Sequence, residues 1–128
     1  MSKYVLDASA ILALLKREAG SDQVSTAIAD GAAIGAVNLS EVVAKLTEAG
    51  MPEPVIHQAL DPLGLDVHSC DERLAYEAGS LRAATKQLGL SLGDRCCVAL
   101  ARALNLPLLT SDRAWGNLDI GIAVRVIR

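Results

Sequence analysis

Lys3–Leu15 reads KYVLDASAILALL: a short apolar run with a β-branched residue, one acid, and then apolar side chains at helical spacing. Lys3–Leu6 therefore predicts a strand that ends at Asp7. Ala8–Arg17 predicts a helix, because Ile11, Leu12, Leu14 and Leu15 cluster on one side of it. The same unit recurs along the chain. Ala32–Val37 is a continuously apolar run short enough for a buried parallel strand, and Asn38 opens a helix that Gly50 closes. Leu106–Thr110 predicts a strand that admits Pro107 only near its start. Helices are expected over Ser21–Ala29, Pro52–Leu60, Ser91–Asn105 and, as one long amphipathic element ended by Gly89, Asp71–Leu88. Leu65–Val67 reads as a brief strand and Ile120–Ile127 as a final one. Strands thus alternate with helices throughout. That pattern predicts an α/β sandwich whose central, mostly parallel sheet has four to five strands flanked by helices.

The 128 residues suit one domain, residues 1–128, with no linker, repeat or low-complexity tract. Apolar residues make up 52% of the chain, which excludes disorder. Aromatic residues make up only 2%, with no Phe, so Leu, Ile, Val and Ala must build the core. No run approaches the ~18 apolar residues of a membrane-spanning helix. Asp7 interrupts the first apolar run, so no signal peptide is expected. Cys70, Cys96 and Cys97 form neither a zinc spacing nor an even disulfide set. Neighbouring helical residues point in different directions, so Cys96 and Cys97 are poor mutual partners. All three are expected to be reduced, small and buried, as in a cytoplasmic protein.

In an open parallel sheet, ligands bind beyond the carboxyl ends of the strands. Four acids fall at such places. Asp7 follows the first strand, Glu41 lies in the first turn of the helix after Ala32–Val37, Asp94 lies in the first turn of the helix opened by Ser91, and Asp112 follows Leu106–Thr110. Helix capping explains each one singly: Asp7 and Asp112 as N-caps, Asn38-Leu39-Ser40-Glu41 and Ser91-Leu92-Gly93-Asp94 as capping boxes. Their coincidence at helix starts along one sheet edge suggests a second role. Carboxylates brought together repel unless a cation intervenes, and such hard oxygens suit Mg²⁺ or Mn²⁺. Ions held this way can activate water and stabilise an in-line displacement at phosphorus. Ser9, Thr110 and Ser111 are placed to support a bound water or a phosphate oxygen, and turn chemistry accounts for them as well.

The segments VLDASAILALL, VNLSEVVAKL, LSLGDRCCVALARALNLPLLTSD and IAVRVIR, in this order and over nearly the whole chain, resemble a PIN-domain protein of the VapC toxin-ribonuclease type. The resemblance implies a single PIN-like domain and a metal-dependent endoribonuclease. Asp7, Glu41, Asp94 and Asp112 would surround one or two Mg²⁺ or Mn²⁺ ions, with Asp7, Asp94 and Asp112 as metal ligands. Glu41 would bind metal or orient the attacking water. It also implies an RNA substrate such as tRNA or rRNA, a cognate VapB-type antitoxin and a homodimer. Met51–Cys70 carries no segment of that pattern.

The net charge of −3 argues at first against nucleic acid. Setting the four acids aside leaves 11 acidic against 12 basic side chains, a nearly neutral remainder that accommodates RNA. Arg95 and Arg113, each beside a candidate ligand, and Arg73, Arg82 and Lys86 on the long helix are candidate phosphate contacts. Solvated faces and ordinary ion pairs explain Arg73, Arg82 and Lys86 equally, and for Arg95 and Arg113 the alternative is neutralisation of the neighbouring acids. With three aromatic residues, base stacking cannot supply much affinity, and Trp115 is expected to pack beneath the Asp112 loop. A phosphoacceptor receiver domain would need paired acids after the first strand and a late lysine. Here Ala8 follows Asp7 and the last lysine is Lys86. A haloacid-dehalogenase-like phosphatase would carry an acid where Ser9 stands. The remaining alternatives are a non-catalytic PIN-like module that binds RNA or protein, and an RNA-processing PIN nuclease without an antitoxin.

Overall fold

The computed structural model covers residues 1–128. Five strands form one sheet: β1 (Tyr4–Leu6), β2 (Ala32–Gly35), β3 (Asp66–His68), β4 (Leu108–Thr110) and β5 (Val124–Val126). Their order is β3-β2-β1-β4-β5 and every pairing is parallel. Side chains alternate between the two faces of a strand, and both faces here are covered. Val5, Ala33 and Leu108 face one side, under α5 (Glu72–Ser80) and α7 (Leu92–Leu104). Leu6, Ala32, Ile34 and Leu109 face the other, under α1 (Ala8–Leu15), α2 (Ser21–Asp30), α3 (Ala36–Glu48) and α4 (Glu53–Leu60). Burial on both faces is why β1, β2 and β4 read as largely unbroken apolar runs rather than alternating ones. The edge strands carry Asp66, His68 and Arg125, charge that discourages further pairing. No helix is long and apolar enough to cross a membrane.

Several boundaries differ from the sequence expectation for local physical reasons. β2 stops at Gly35 and α3 begins at Ala36, two residues before Asn38. Asn38 therefore lies inside the first turn, and its side chain turns inward instead of capping. The expected helix Asp71–Leu88 is broken into α5, a short α6 (Arg82–Thr85) and a 3₁₀ turn over Lys86–Leu88. Gly79 weakens that stretch, and Ser80 Oγ bonds back to Tyr76 O at 2.9 Å, a contact that bends helices. The last strand is confined to Val124–Val126, because the backbone bends over residues 120–122, where Gly121 adopts φ +81°. Gly20 makes the tight entry to α2 possible. It adopts φ +91°, and a Cβ there would collide with the backbone of Ile127. Cys96 and Cys97 are buried as expected, whereas Cys70, in the link between β3 and α5, is exposed. That link runs over the surface, with Ser69 and Asp71 exposed on either side of it.

Candidate active site

The chain runs outward from β1 in both directions across the sheet, so β1 and β4 form a topological switch point, where α/β sheets leave a crevice at the strand carboxyl ends. Asp7 leaves β1 there and Ser111-Asp112 leave β4. A cavity of about 230 Å³ opens at this place, and Asp7, Glu41, Asp94 and Asp112 all line it, with Ser9, Lys45 and Trp115. A larger cavity of about 760 Å³ lies elsewhere, between α3 and α4, with a mostly apolar lining including Val43, Ile56 and Leu60. The smaller cavity is the one lined by four acidic side chains.

Asp7 is the anchor. It caps α1 through Oδ1, which accepts from Ala10 N at 2.8 Å and from Ser9 Oγ at 2.7 Å. Thr110 Oγ1 donates to Oδ2 at 2.5 Å. Burial to 5% exposure pushes the Asp7 carboxyl up to about 6. The hydrogen bonds from Thr110, Ser9 and Ala10 oppose that rise, and the charge of Asp94 adds to it. The hydroxyl protons of Ser9 and Thr110 are thus committed to Asp7, and their oxygens are left to accept. Ser111 N donates to Ser9 Oγ at 2.9 Å and Asp112 N to Thr110 Oγ1 at 3.1 Å. The two hydroxyls therefore tie the β4 loop to the start of α1. Ser111 contributes its backbone N–H to this network.

Asp94 forms the expected capping box: Ser91 N donates to Oδ2 at 2.9 Å, and Asp94 N donates to Ser91 Oγ at 3.1 Å. Asp112 is exposed and caps the following 3₁₀ turn, with Ala114 N donating to Oδ1 at 3.0 Å. Glu41 is not part of a capping box. Asn38 Nδ2 donates to its Oε1 at 2.9 Å and also to Gly93 O at 3.0 Å. Gly93 leaves room for this acid, since a Cβ there would strike the Glu41 carboxylate. Helical spacing puts Asn38, Glu41 and Lys45 on one face of α3. That spacing was the available signal for Asn38 and Lys45, neither of which stands out as a single residue.

The basic candidates divide. Arg95 Nη1 donates to Ala78 O at 3.2 Å, which joins α7 to α5 and directs the guanidinium away from the cavity lining. Arg73, Arg82 and Lys86 are exposed on α5, α6 and the turn after it, outside the cavity. Arg113 is exposed beside Asp112. Trp115 is 1% exposed and packs under the Asp112 loop. Apart from Lys45, the polar side chains around the cavity offer carboxylate and hydroxyl oxygens, the donors that hard divalent cations prefer. Donor chemistry therefore fits Mg²⁺ or Mn²⁺. Four like charges repel, and as the side chains stand no three of them are close enough to clasp an ion.

Comparison with known proteins agrees with this architecture. No curated protein matches the chain by sequence. Among solved structures, a chain of the DNA-bound VapBC complex from Salmonella typhimurium superposes with a TM-score of 0.75 at 19% identity, covering 98% of each chain. A toxin-antitoxin complex from Klebsiella pneumoniae gives 0.72 at 19%, covering 95% of each. VapBC-5 of Mycobacterium tuberculosis gives 0.62 at 24%, covering 98% of each. At these identities the likeness speaks for the fold. The model of the PIN domain matches residues 4–121. Because that match runs from the first residue of β1 to beyond Ile120, the protein belongs to the PIN domain family.

Proposed function

We propose that this protein is a VapC-type toxin, a metal-dependent endoribonuclease that hydrolyses an RNA phosphodiester. The observation that carries the reading is that four carboxylates, delivered by four separate segments, line one cavity at the β1/β4 switch point. Asp7, Asp94 and Asp112 would hold one or two Mg²⁺ or Mn²⁺ ions, and Glu41 would join them or orient the attacking water. A bound divalent ion would supply an activated water and stabilise charge developing on phosphorus. The remaining work belongs to the chain itself. Thr110 and Ser9 fix the Asp7 carboxylate by hydrogen bonds to both of its oxygens. Lys45, which lines the cavity, and Arg113 on the exposed loop would bind flanking phosphates.

The similarity to chains from toxin-antitoxin complexes supports a VapB-type antitoxin as partner, with a homodimer as the expected toxin assembly. The spread of the acids favours a second reading, a PIN domain that binds RNA or protein without cutting. One experiment separates the two. The purified chain is incubated with tRNA and rRNA in Mg²⁺, Mn²⁺ or EDTA, beside Asp7→Asn purified identically. Discrete metal-dependent fragments missing from the mutant lane support the nuclease and identify its substrate class. Binding of RNA with no cleavage under any condition supports the second reading.

A further inference from the structure

We infer that Asn38 is a positioning residue of the acidic site, one whose side-chain amide holds the Glu41 carboxylate of α3 against the start of α7. Its functional meaning rests on the nuclease reading above. Asn38 Nδ2 uses both of its protons, one on Glu41 Oε1 at 2.9 Å and one on Gly93 O at 3.0 Å. A single planar nitrogen thus bridges the two helices that bring Glu41 and Asp94 to the cavity. Both partners are acceptors, so the orientation of the amide is settled: nitrogen towards Glu41 and Gly93, oxygen away from them.

That orientation has a cost. Asn38 is 1% exposed, and its Oδ1 is buried with no hydrogen-bond partner. A buried acceptor left unpaired destabilises a fold. Gly35 makes room for the oxygen, since a Cβ there would stand 3.0 Å from it. An apolar side chain of the same size would remove that unpaired oxygen together with the two hydrogen bonds, an exchange that can be nearly neutral for stability. Gly93 O does not require the amide either, because it lies in the first turn of α7, where the helix supplies its own donor. What the amide adds is a fixed carboxylate. Without it, the partly buried Glu41 carboxylate would rest against Gly93 with no side-chain hydrogen bond to hold it.

The test is Asn38→Leu, which keeps the number of side-chain heavy atoms and removes both protons and the unpaired oxygen. Three quantities are measured: the melting temperature, Mn²⁺ affinity by electron paramagnetic resonance, and kcat and KM on the RNA cut by the wild type. The expected result is an unchanged or higher melting temperature with a roughly 10–100-fold loss in kcat or Mn²⁺ affinity, the range typical of residues that orient a ligand side chain. In a Glu41→Ala background the same change should produce no further loss, because the group it acts through is gone. Asn38→Ser, smaller and with one proton left, should fall between. Wild-type kcat and Mn²⁺ affinity in Asn38→Leu would overturn the inference and leave the nuclease standing. So would losses that multiply in full on Glu41→Ala, or that merely follow the melting temperature. A wild type that neither binds Mn²⁺ nor cuts RNA would overturn the nuclease reading and this one together.

Discussion

Asp7 and Asp112 make an instructive pair. Each follows a strand, each caps the turn after it, and each is tied to Thr110. Their environments are opposite. Asp7 is buried, accepts three hydrogen bonds, and is pushed up to about 6. Asp112 is exposed with one backbone donor on its carboxylate. Sequence context is nearly the same for the two; solvent is not. The comparison teaches that capping and site chemistry are not rival explanations. A capping bond to one carboxylate oxygen leaves acceptor capacity on the group, since a carboxylate has about four lone-pair sites, so a cap at a strand's carboxyl end can still face a cavity.

The largest expected effect breaks the pair directly. Asp7→Asn should reduce metal-dependent RNA cleavage by at least about 10²–10³-fold, the loss of several kcal/mol of charge stabilisation. Asp112→Asn should lose less, roughly tenfold, because an exposed carboxylate is the more easily replaced by water. Initial rates on one RNA in Mn²⁺ compare them. Equal losses would mean that burial does not rank the ligands.

Next comes pH. Asp7 holds its proton up to about 6 in the folded protein, against 3.8 as the ordinary value for the unfolded chain. Between those values the native state binds more protons, so this group's stabilising contribution is complete below about 4 and is lost as pH rises to about 6. In EDTA, Asp7→Asn should therefore be more stable than wild type at pH 7 by about 1–3 kcal/mol. The difference should shrink towards pH 4. Denaturant unfolding at both pH values reads it, and a gap that widens on acidification would contradict the assignment.

Thr110→Val should cost about 1–2 kcal/mol, since it removes the donor to Asp7 Oδ2 and the acceptor for Asp112 N from a fully buried position. The cost should be greater at pH 7 than at pH 4.5, because the bond is strongest to the charged carboxylate. Unfolding midpoints of the two proteins at each pH check this. At the small end, Asp112→Ala should lose only the turn cap, about 0.5–1 kcal/mol in a metal-free melt. A loss as large as that of Thr110→Val would show that the exposed acid is more deeply embedded than its partner bonds indicate.

Much of this protein follows from local rules. The strand–acid–helix unit at Lys3–Leu15, the Ser91–Asp94 capping box and the apolar runs of β1, β2 and β4 all depend on residues within about four positions of each other. Backbone periodicity and i to i+3 hydrogen bonds act at that range. The same rules misplace α3, because nothing local reveals that Asn38 is buried against α7. They also merge α5 with α6, because a back-bonding Ser80 and an amphipathic pattern look compatible until the helix is packed.

Tertiary structure alone decided which strands flank β1, since parallel backbone pairing is chemically uniform and carries no residue code. That choice sets Thr110 against Asp7 across 103 positions of sequence and Asn38 against Gly93 across 55. The identities of the four acids were therefore fixed by sequence. Their unequal burial, the pKa of Asp7 and the amide that holds Glu41 were fixed by packing, because desolvation sums over every neighbour the fold brings near.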